Sequence, residues 1–439
     1  MSSALRLLPA AIVLALVVSV ALPTGRARAA DGPAWGFVAS TCSESSVAAN
    51  RAYGLAVVEV EAYWDRYLPT RAGVVDTAYV ADLRSRITRC LDAGLRVVLG
   101  SGTQYPPAWV RALSGSKLVD QRGRNPATGA LDTVFSATVR AAQVDYLRRL
   151  VRDLPSSRIE AIRVGTSVAG EIGYPGPNEA GDGFLQSWWA FSPAAQQGTG
   201  LAAGASRTPM PGWVPGQRTW QGRAVTASAA RSWFLWYSRA LTTAIKGQHD
   251  ALRGAGYAGQ VHLPAPGKGV LPADLTTATN ALLNGTGDRD GSLGRGLNYP
   301  DQFGVLAGST SRTVIALTGI DDATAVLARR QSPPQDACRD GDAAASVAAG
   351  TPVHLWSNQR FARAQATRAN LPAVGENPGP PAAQTGGTSY SDSLAEQIAR
   401  SPAYARGCRL AALLVAFEWA MDDPRWGVTR DDYRRAVLG

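Results

Sequence analysis

Eight short runs of β-forming residues, separated by stretches of helical periodicity, limit what this chain can fold into more than any other feature. The runs span residues 35–40, 57–63, 96–100, 159–165, 260–264, 313–318, 371–374 and 412–417. Strand and helix alternating on this spacing are the mark of βα units, whose strands pair in parallel under a cover of helices. Eight units suit a closed sheet, so the expected architecture is α/β, a (β/α)8 TIM barrel formed as one domain by residues 30–439. With 45% hydrophobic and 18% charged residues, the chain can fill such a core and is not globally disordered.

Helices are expected at 77–93, 136–153, 227–255, 352–369 and 392–406. In the first, Val80, Leu83, Ile87 and Leu91 recur three and four apart, and Gly94 supplies a left-handed terminator before the next apolar run. Two stretches exceed the minimal unit, 192–226 and 265–312, both rich in glycine. They follow the fourth and fifth strands, which places them as long substrate-shaping loops on the face where barrels build their sites.

Residues 1–29 read as an export signal, with Arg6, an apolar run from Leu7 to Leu22, and the small-x-small sequence Ala27-Arg28-Ala29. No later stretch reaches the ~18 apolar residues of a membrane span, so a secreted, extracellular protein without a span is expected. Cys42, Cys90, Cys338 and Cys408 then imply two disulfides, with three pairings open. Proximity favours Cys42–Cys90 and Cys338–Cys408, although a barrel would set Cys42 near the top of a strand and Cys90 near the bottom of a helix. The net charge of +10 is nearly all arginine and is dispersed, with no basic run interleaved with aromatics, so no nucleic-acid partner is expected. The cysteine spacing and the three histidines give no zinc pattern, and neither metal nor cofactor is expected. Asp288-Arg289-Asp290-Gly291-Ser292 begins like a calcium loop but lacks the closing glutamate and reads as a glycine turn. A Gly-x-Ser-x-Gly elbow is missing, which sets ester and peptide hydrolysis aside. The oligomeric state is not written in the sequence.

Two strands run out into small residues and each delivers one glutamate. The first reads Val164-Gly165-Thr166-Ser167-Val168-Ala169-Gly170-Glu171-Ile172-Gly173-Tyr174-Pro175, and the second Leu371-Pro372-Ala373-Val374-Gly375-Glu376-Asn377. By count these are the fourth and seventh strands. Glycosidic cleavage needs two carboxyl groups flanking one bond, and strand ends across a barrel mouth can hold them. A third acid is aimed the same way. Alternation puts Glu59, Glu61 and Tyr63 on one face of their strand and Val58, Val60 and Ala62 on the other. Glu61, nearer the C-terminal end, is the expected ligand of a sugar hydroxyl, and Glu59 a structural partner for an arginine. Of the twelve tryptophans, Trp64, Trp109, Trp188, Trp189, Trp356 and Trp419 lie at strand ends or on adjoining segments, where flat rings suit sugar faces. Trp233 and Trp236, three apart on a helix, are expected in the core.

The order of these motifs resembles the (β/α)8 glycoside hydrolases of clan A, over most of residues 30–439. Glu61-Ala62-Tyr63-Trp64-Asp65-Arg66-Tyr67-Leu68-Pro69, Gln104-Tyr105-Pro106-Pro107-Ala108-Trp109 and Val119-Asp120-Gln121-Arg122-Gly123-Arg124 resemble motifs of family 42, the β-galactosidase-like enzymes. Ala169-Gly170-Glu171-Ile172-Gly173-Tyr174-Pro175, Phe234-Leu235-Trp236-Tyr237-Ser238 and Val374-Gly375-Glu376-Asn377 are similar to motifs of the family 14 β-amylases. The resemblance implies hydrolysis of an oligosaccharide or polysaccharide, with Glu171 as general acid and Glu376 as nucleophile or as the base activating water. Substrate contacts are expected at Glu61, Trp64, Gln104, Trp109, Tyr174, Asn377 and Trp419. The family 42 likeness implies retention of configuration, the β-amylase likeness inversion. Clan A enzymes carry Asn just before the acid, where this chain has Gly170, so the bond that Asn gives the sugar's 2-hydroxyl is missing or supplied elsewhere. The β-amylase lid after the third strand is replaced by Tyr105-Pro106-Pro107.

Overall fold

Strands β1 (Ala34–Phe37), β2 (Val57–Glu61), β3 (Arg96–Gly100), β4 (Ala161–Arg163), β7 (Gln260–Ala265), β8 (Thr313–Leu317), β9 (Ala373–Glu376) and β10 (Ala412–Val415) close into a parallel barrel. Their order around it is β1-β10-β9-β8-β7-β4-β3-β2, and β5 (Thr219–Trp220) and β6 (Arg223–Ala224) form a separate hairpin. The computed structural model describes residues 32–176, 187–285, 291–377, 379 and 393–438. The export signal, and Asp288, Arg289 and Asp290 of the calcium-like stretch, lie outside them. All eight expected barrel strands occur. No helix among the described residues is long and apolar enough to cross a membrane.

Two apolar layers follow from the two sequence periods. Outward strand residues and inward helix residues form the larger core, to which the helix Thr77–Asp92 contributes Val80, Leu83, Ile87 and Cys90. Leu91, expected there, is only partly buried. Asp76 caps this helix by accepting from the Tyr79 amide, and Gly94 ends it at φ +83 as its position implied. Inside the barrel a second cluster stacks Val57, Val98, Ala161, Val314, Val374 and Leu414 into an apolar plug. Residues two further along these strands point the same way, so Glu59, Glu61, Gly100, Arg163 and Glu376 stand above the plug.

The elements differ from expectation where proline starts a helix rather than ending one. Residues 265–312 contain helices Pro272–Asn280 and Tyr299–Ser309, each with proline in its first turn, where a missing N–H costs nothing. The stretch after β4 holds the short helix Pro193–Gln197 and the β5–β6 hairpin. The segment 352–369 opens as a 3₁₀ turn, Val353–Leu355, and the helix begins only at Asn358 under a Ser357 cap.

The barrel is sewn shut between its last and first units. Buried Glu418 accepts from Ser46 Oγ at 2.6 Å and Asn50 Nδ2 at 3.0 Å and pairs with Arg430 at 3.1 Å. Gly36 on β1 is obligatory here, because a β-carbon would lie 1.6 Å from the Val57 carbonyl oxygen. The disulfides are Cys42–Cys90 and Cys338–Cys408, with Cα separations of 5.7 and 5.0 Å. The top-and-bottom objection to the first does not hold. The Ser40 amide still donates to the Glu59 carbonyl at mid-strand, so the chain after β1 stays at the level of mid-β2, within reach of Cys90. Non-reducing peptide mapping is expected to recover both linked pairs. The double substitution C338S/C408S should lower unfolding free energy by about 2–4 kcal/mol in denaturant titrations.

Candidate active site

The charged layer above the plug is organised by one guanidinium. Arg163 Nη1 lies 2.8 Å from Glu59 Oε2, and Nη2 lies 2.9 Å from Glu376 Oε2. The pair bridges β2 and β9 through β4 across the barrel interior, with all three side chains largely buried. Glu59 thus has the arginine partner expected for it. Glu61, two residues on, accepts a hydrogen bond from Gln104 Nε2 at 3.2 Å. Both glutamates crowd β3: a β-carbon on Gly100 would lie 2.2 Å from Glu61 Oε2 and 2.8 Å from Glu59 Oε1.

Above these groups is a cavity of about 170 Å³ lined by Glu59, Glu61, Gln104, Tyr105, Arg163, Glu376 and Phe417 among others. Burial raises the Glu61 carboxyl to about 8, Glu59 adding to the rise and Arg163 and Gln104 opposing it. Burial likewise raises Glu376, to about 7, against the pull of Arg163 and with the charges of Glu59 and Glu171 adding. His262, on β7, is driven down to about 3 by burial and then by Arg163, so its ring stays neutral and bonds to Gln260 Oε1 at 3.1 Å.

Glu171 is not at the end of its strand. β4 stops at Arg163, and the chain makes a tight excursion in which the Thr166 and Ser167 amides both donate to the Glu171 carbonyl. It rejoins the barrel when Ile172 N donates to Pro264 O of β7. The carboxylate accepts from Thr318 Oγ1 at 2.6 Å and lies 3.5 Å from Arg295 Nη2. Leu317 registers with Gly375, so Thr318 stands level with Glu376 on the neighbouring strand. Glu171 and Glu376 therefore converge on one side of the mouth.

The remaining expected contacts divide by burial. Trp64 is fully buried and stacks on Tyr146 with centroids 5.2 Å apart, so it is a core residue and not a sugar platform. Tyr174 is also corrected: it is buried between aromatic rings, 4.2 Å from that of Tyr237, and its hydroxyl is spent on the Tyr237 carbonyl. Asn377 is buried too. Its Oδ1 accepts from the Ala416 amide at 2.7 Å and its Nδ2 donates to Gln397, so it clasps β9 to the end of β10. Trp109 is partly buried against the core and donates to the Leu68 carbonyl, away from the cavity lining. Trp188, Trp189 and Trp356 are buried as well. Trp419 differs: it is 46% exposed and stacks at 5.6 Å on Phe417, itself part of the cavity wall. Gln104 lines the cavity and fills the space beside Gly170, where a β-carbon would be 3.1 Å from the Gln104 amide.

Arg163, Thr318, Arg295 and Phe417 were not anticipated from sequence. For Arg163 a signal existed, since alternation along 159–165 places it on the same face as Ala161 and the reading already called for an arginine beside Glu59. Arg295 and Thr318 carry no local signal, because each reaches Glu171 only through tertiary packing.

No protein-family profile matches the sequence, and no curated protein matches it. Solved structures do. The fold is similar to the catalytic domain of β-amylase from Paenibacillus polymyxa, with a TM-score of 0.59, 11% identity, and coverage of 93% of this chain and 98% of that one. It is similar to β-galactosidase from the psychrophilic Marinomonas ef1, with a TM-score of 0.56, 12% identity, and coverage of 92% and 58%. A third likeness is to β-galactosidase from the Antarctic haloarchaeon Halorubrum lacusprofundi, with a TM-score of 0.54, 14% identity, and coverage of 92% and 57%. The chain thus spans somewhat over half the length of the two β-galactosidases. At these identities the likeness is one of fold, the (β/α)8 barrel that these glycoside hydrolases share.

The raised Glu61 carboxyl carries a sign for stability. The folded state holds its proton up to about 8, against an ordinary 4.5, so the contribution is complete below 4.5 and is lost as pH rises through 8. E61Q should therefore melt within error of the parent at pH 5 and roughly 2–5 °C above it at pH 9. R163Q, which strands two buried carboxylates, should cost about 3–5 kcal/mol at pH 8.

Proposed function

We propose that the protein is a secreted O-glycoside hydrolase that cleaves an oligosaccharide or polysaccharide, with Glu171 as general acid and Glu376 as nucleophile. The observation that carries this reading is the placement of the two carboxyl groups on neighbouring strand ends, Glu171 held by Thr318 and Glu376 by Arg163, at the C-terminal mouth of a barrel shared with glycoside hydrolases of known structure. Glu171 protonates the departing oxygen while Glu376 attacks the anomeric carbon, and Glu171 then activates the water that releases the sugar. Arg163 orients the Glu376 carboxylate and favours its anion. Gln104 takes a hydroxyl group of the bound ring beside Glu61, and the exposed face of Trp419 receives the next sugar along the chain.

The alternative is inversion, in which Glu376 activates water and the carboxyl groups stand ~6.5–9.5 Å apart rather than ~5–5.5 Å. Glycines before both glutamates would favour it if they let the backbone retreat from the substrate. Neither has that use here. Gly375 faces away from the mouth, where a β-carbon would meet Leu410 at 2.7 Å, and the space beside Gly170 is filled by Gln104. This favours retention.

E171Q and E376Q should each lower turnover by roughly 10²–10⁴ on a panel of aryl glycosides and polysaccharides while the protein remains folded. Wild-type activity in either variant overturns the assignment, and binding without turnover across the panel would make the protein a catalytically silent carbohydrate-binding barrel. Proton NMR of the first-formed anomer separates retention from inversion. Glu376 must be ionised to act, so activity should fall as pH drops through about 7, well above the ordinary carboxylate range. E59Q removes a like charge and leaves Arg163 to Glu376, which should move that acid limb to lower pH.

A further inference from the structure

In the mouth, four carboxyl groups face two guanidiniums. Glu59 and Glu376 share Arg163, and Glu171 lies against Arg295. Glu61 is left over. Among the described residues it makes no ion pair, and its hydrogen bond comes from the neutral amide of Gln104. Among the described residues, Arg163 is the only cation lining the cavity, and both of its terminal nitrogens are already committed to Glu59 and Glu376. Nor can Glu61 relax towards β3, where the bare backbone of Gly100 is packed against both glutamate side chains. The cavity, about 170 Å³, is smaller than the ~300–1,000 Å³ that encloses a drug-sized molecule and suits a single sugar ring.

A buried carboxylate without a cation is costly, and the cost disappears if the ligand brings the positive charge. We propose that Glu61 is a specificity-determining residue that receives an ammonium group, so that this subsite takes a pyranose bearing a free amine, a hexosamine unit of the glycan. The substrate class rests on the glycosidase reading above, but the binding chemistry does not. Without an ammonium partner the Glu61 carboxyl keeps its proton, disfavoured as an anion by burial and by Glu59 behind it. When the ammonium enters, that proton leaves to solvent and an ion pair takes its place. The other groups facing the carboxyl are Arg163 from β4, Glu376 from β9, and Gln104 and Tyr105 from the loop after β3. None of these supplies a free cation.

Isothermal titration of the full protein at pH 7 with glucosamine and galactosamine, against glucose, galactose and N-acetylglucosamine, tests this without turnover. The amino sugars should bind roughly tenfold tighter or more, the scale of one charge-assisted hydrogen bond, and runs in two buffers of different ionisation enthalpy should show proton release. E61Q should erase the preference and E61D retain part of it. Equal binding of amino and neutral sugars, a preference that survives in E61Q, or no binding of either amino sugar overturns the proposal. Amino-sugar preference with no hydrolysis of any glycoside would leave it standing and remove the glycosidase reading. Hydrolysis of neutral glycosides alone would do the reverse.

Discussion

The interior of the barrel depends on Arg163 standing between Glu59 and Glu376. A barrel of this size has room inside for side chains and not for a channel, so any charge placed there must be paired. One guanidinium with its fork of donors satisfies two carboxylates from opposite arcs of the barrel. Below it the apolar plug of Val57, Val98, Ala161, Val314, Val374 and Leu414 excludes water, and above it the cavity opens. Burial and the charges around this bridge set the character of the mouth: burial and then Arg163 keep His262 neutral, burial raises Glu376 against the pull of Arg163, and Glu61 and Glu59 leave no room for a side chain at Gly100.

The same layer makes the mouth asymmetric. On the side of β8 and β9, Thr318 and Arg295 hold the Glu171 carboxylate and Arg163 holds that of Glu376. On the side of β2 and β3, Glu61 makes its side-chain hydrogen bond with the neutral amide of Gln104 and, among the described residues, no ion pair. The proposed substrate would meet fixed charge on one flank and an adaptable acid on the other, with electrostatic preorganisation where bond cleavage is proposed and selectivity where the sugar ring would be held.

The strand count, the face alternation of Val57–Glu61, and the glycine that ends the first long helix were all legible, because each is a local pattern of period two or of left-handed backbone. So was the supply of acids at strand ends. The burial of Trp64, Tyr174 and Asn377 was not. A tryptophan just past a strand reads the same whether its ring turns to the mouth or folds back under the helices. Only the stack on Tyr146 decides Trp64, just as the stack on Phe417 leaves Trp419 in the open.

By itself, then, the sequence determined that eight βα units would close into a barrel and that glutamates would face its interior, because strand period and helix caps act over a few residues. Tertiary structure decided which groups those glutamates meet. Arg163 lies about a hundred residues from Glu59 and about two hundred from Glu376 along the chain. Their contact exists only because closing the barrel brings inward residues of separate strands within a few ångströms across a shared interior, where Coulomb attraction is little screened.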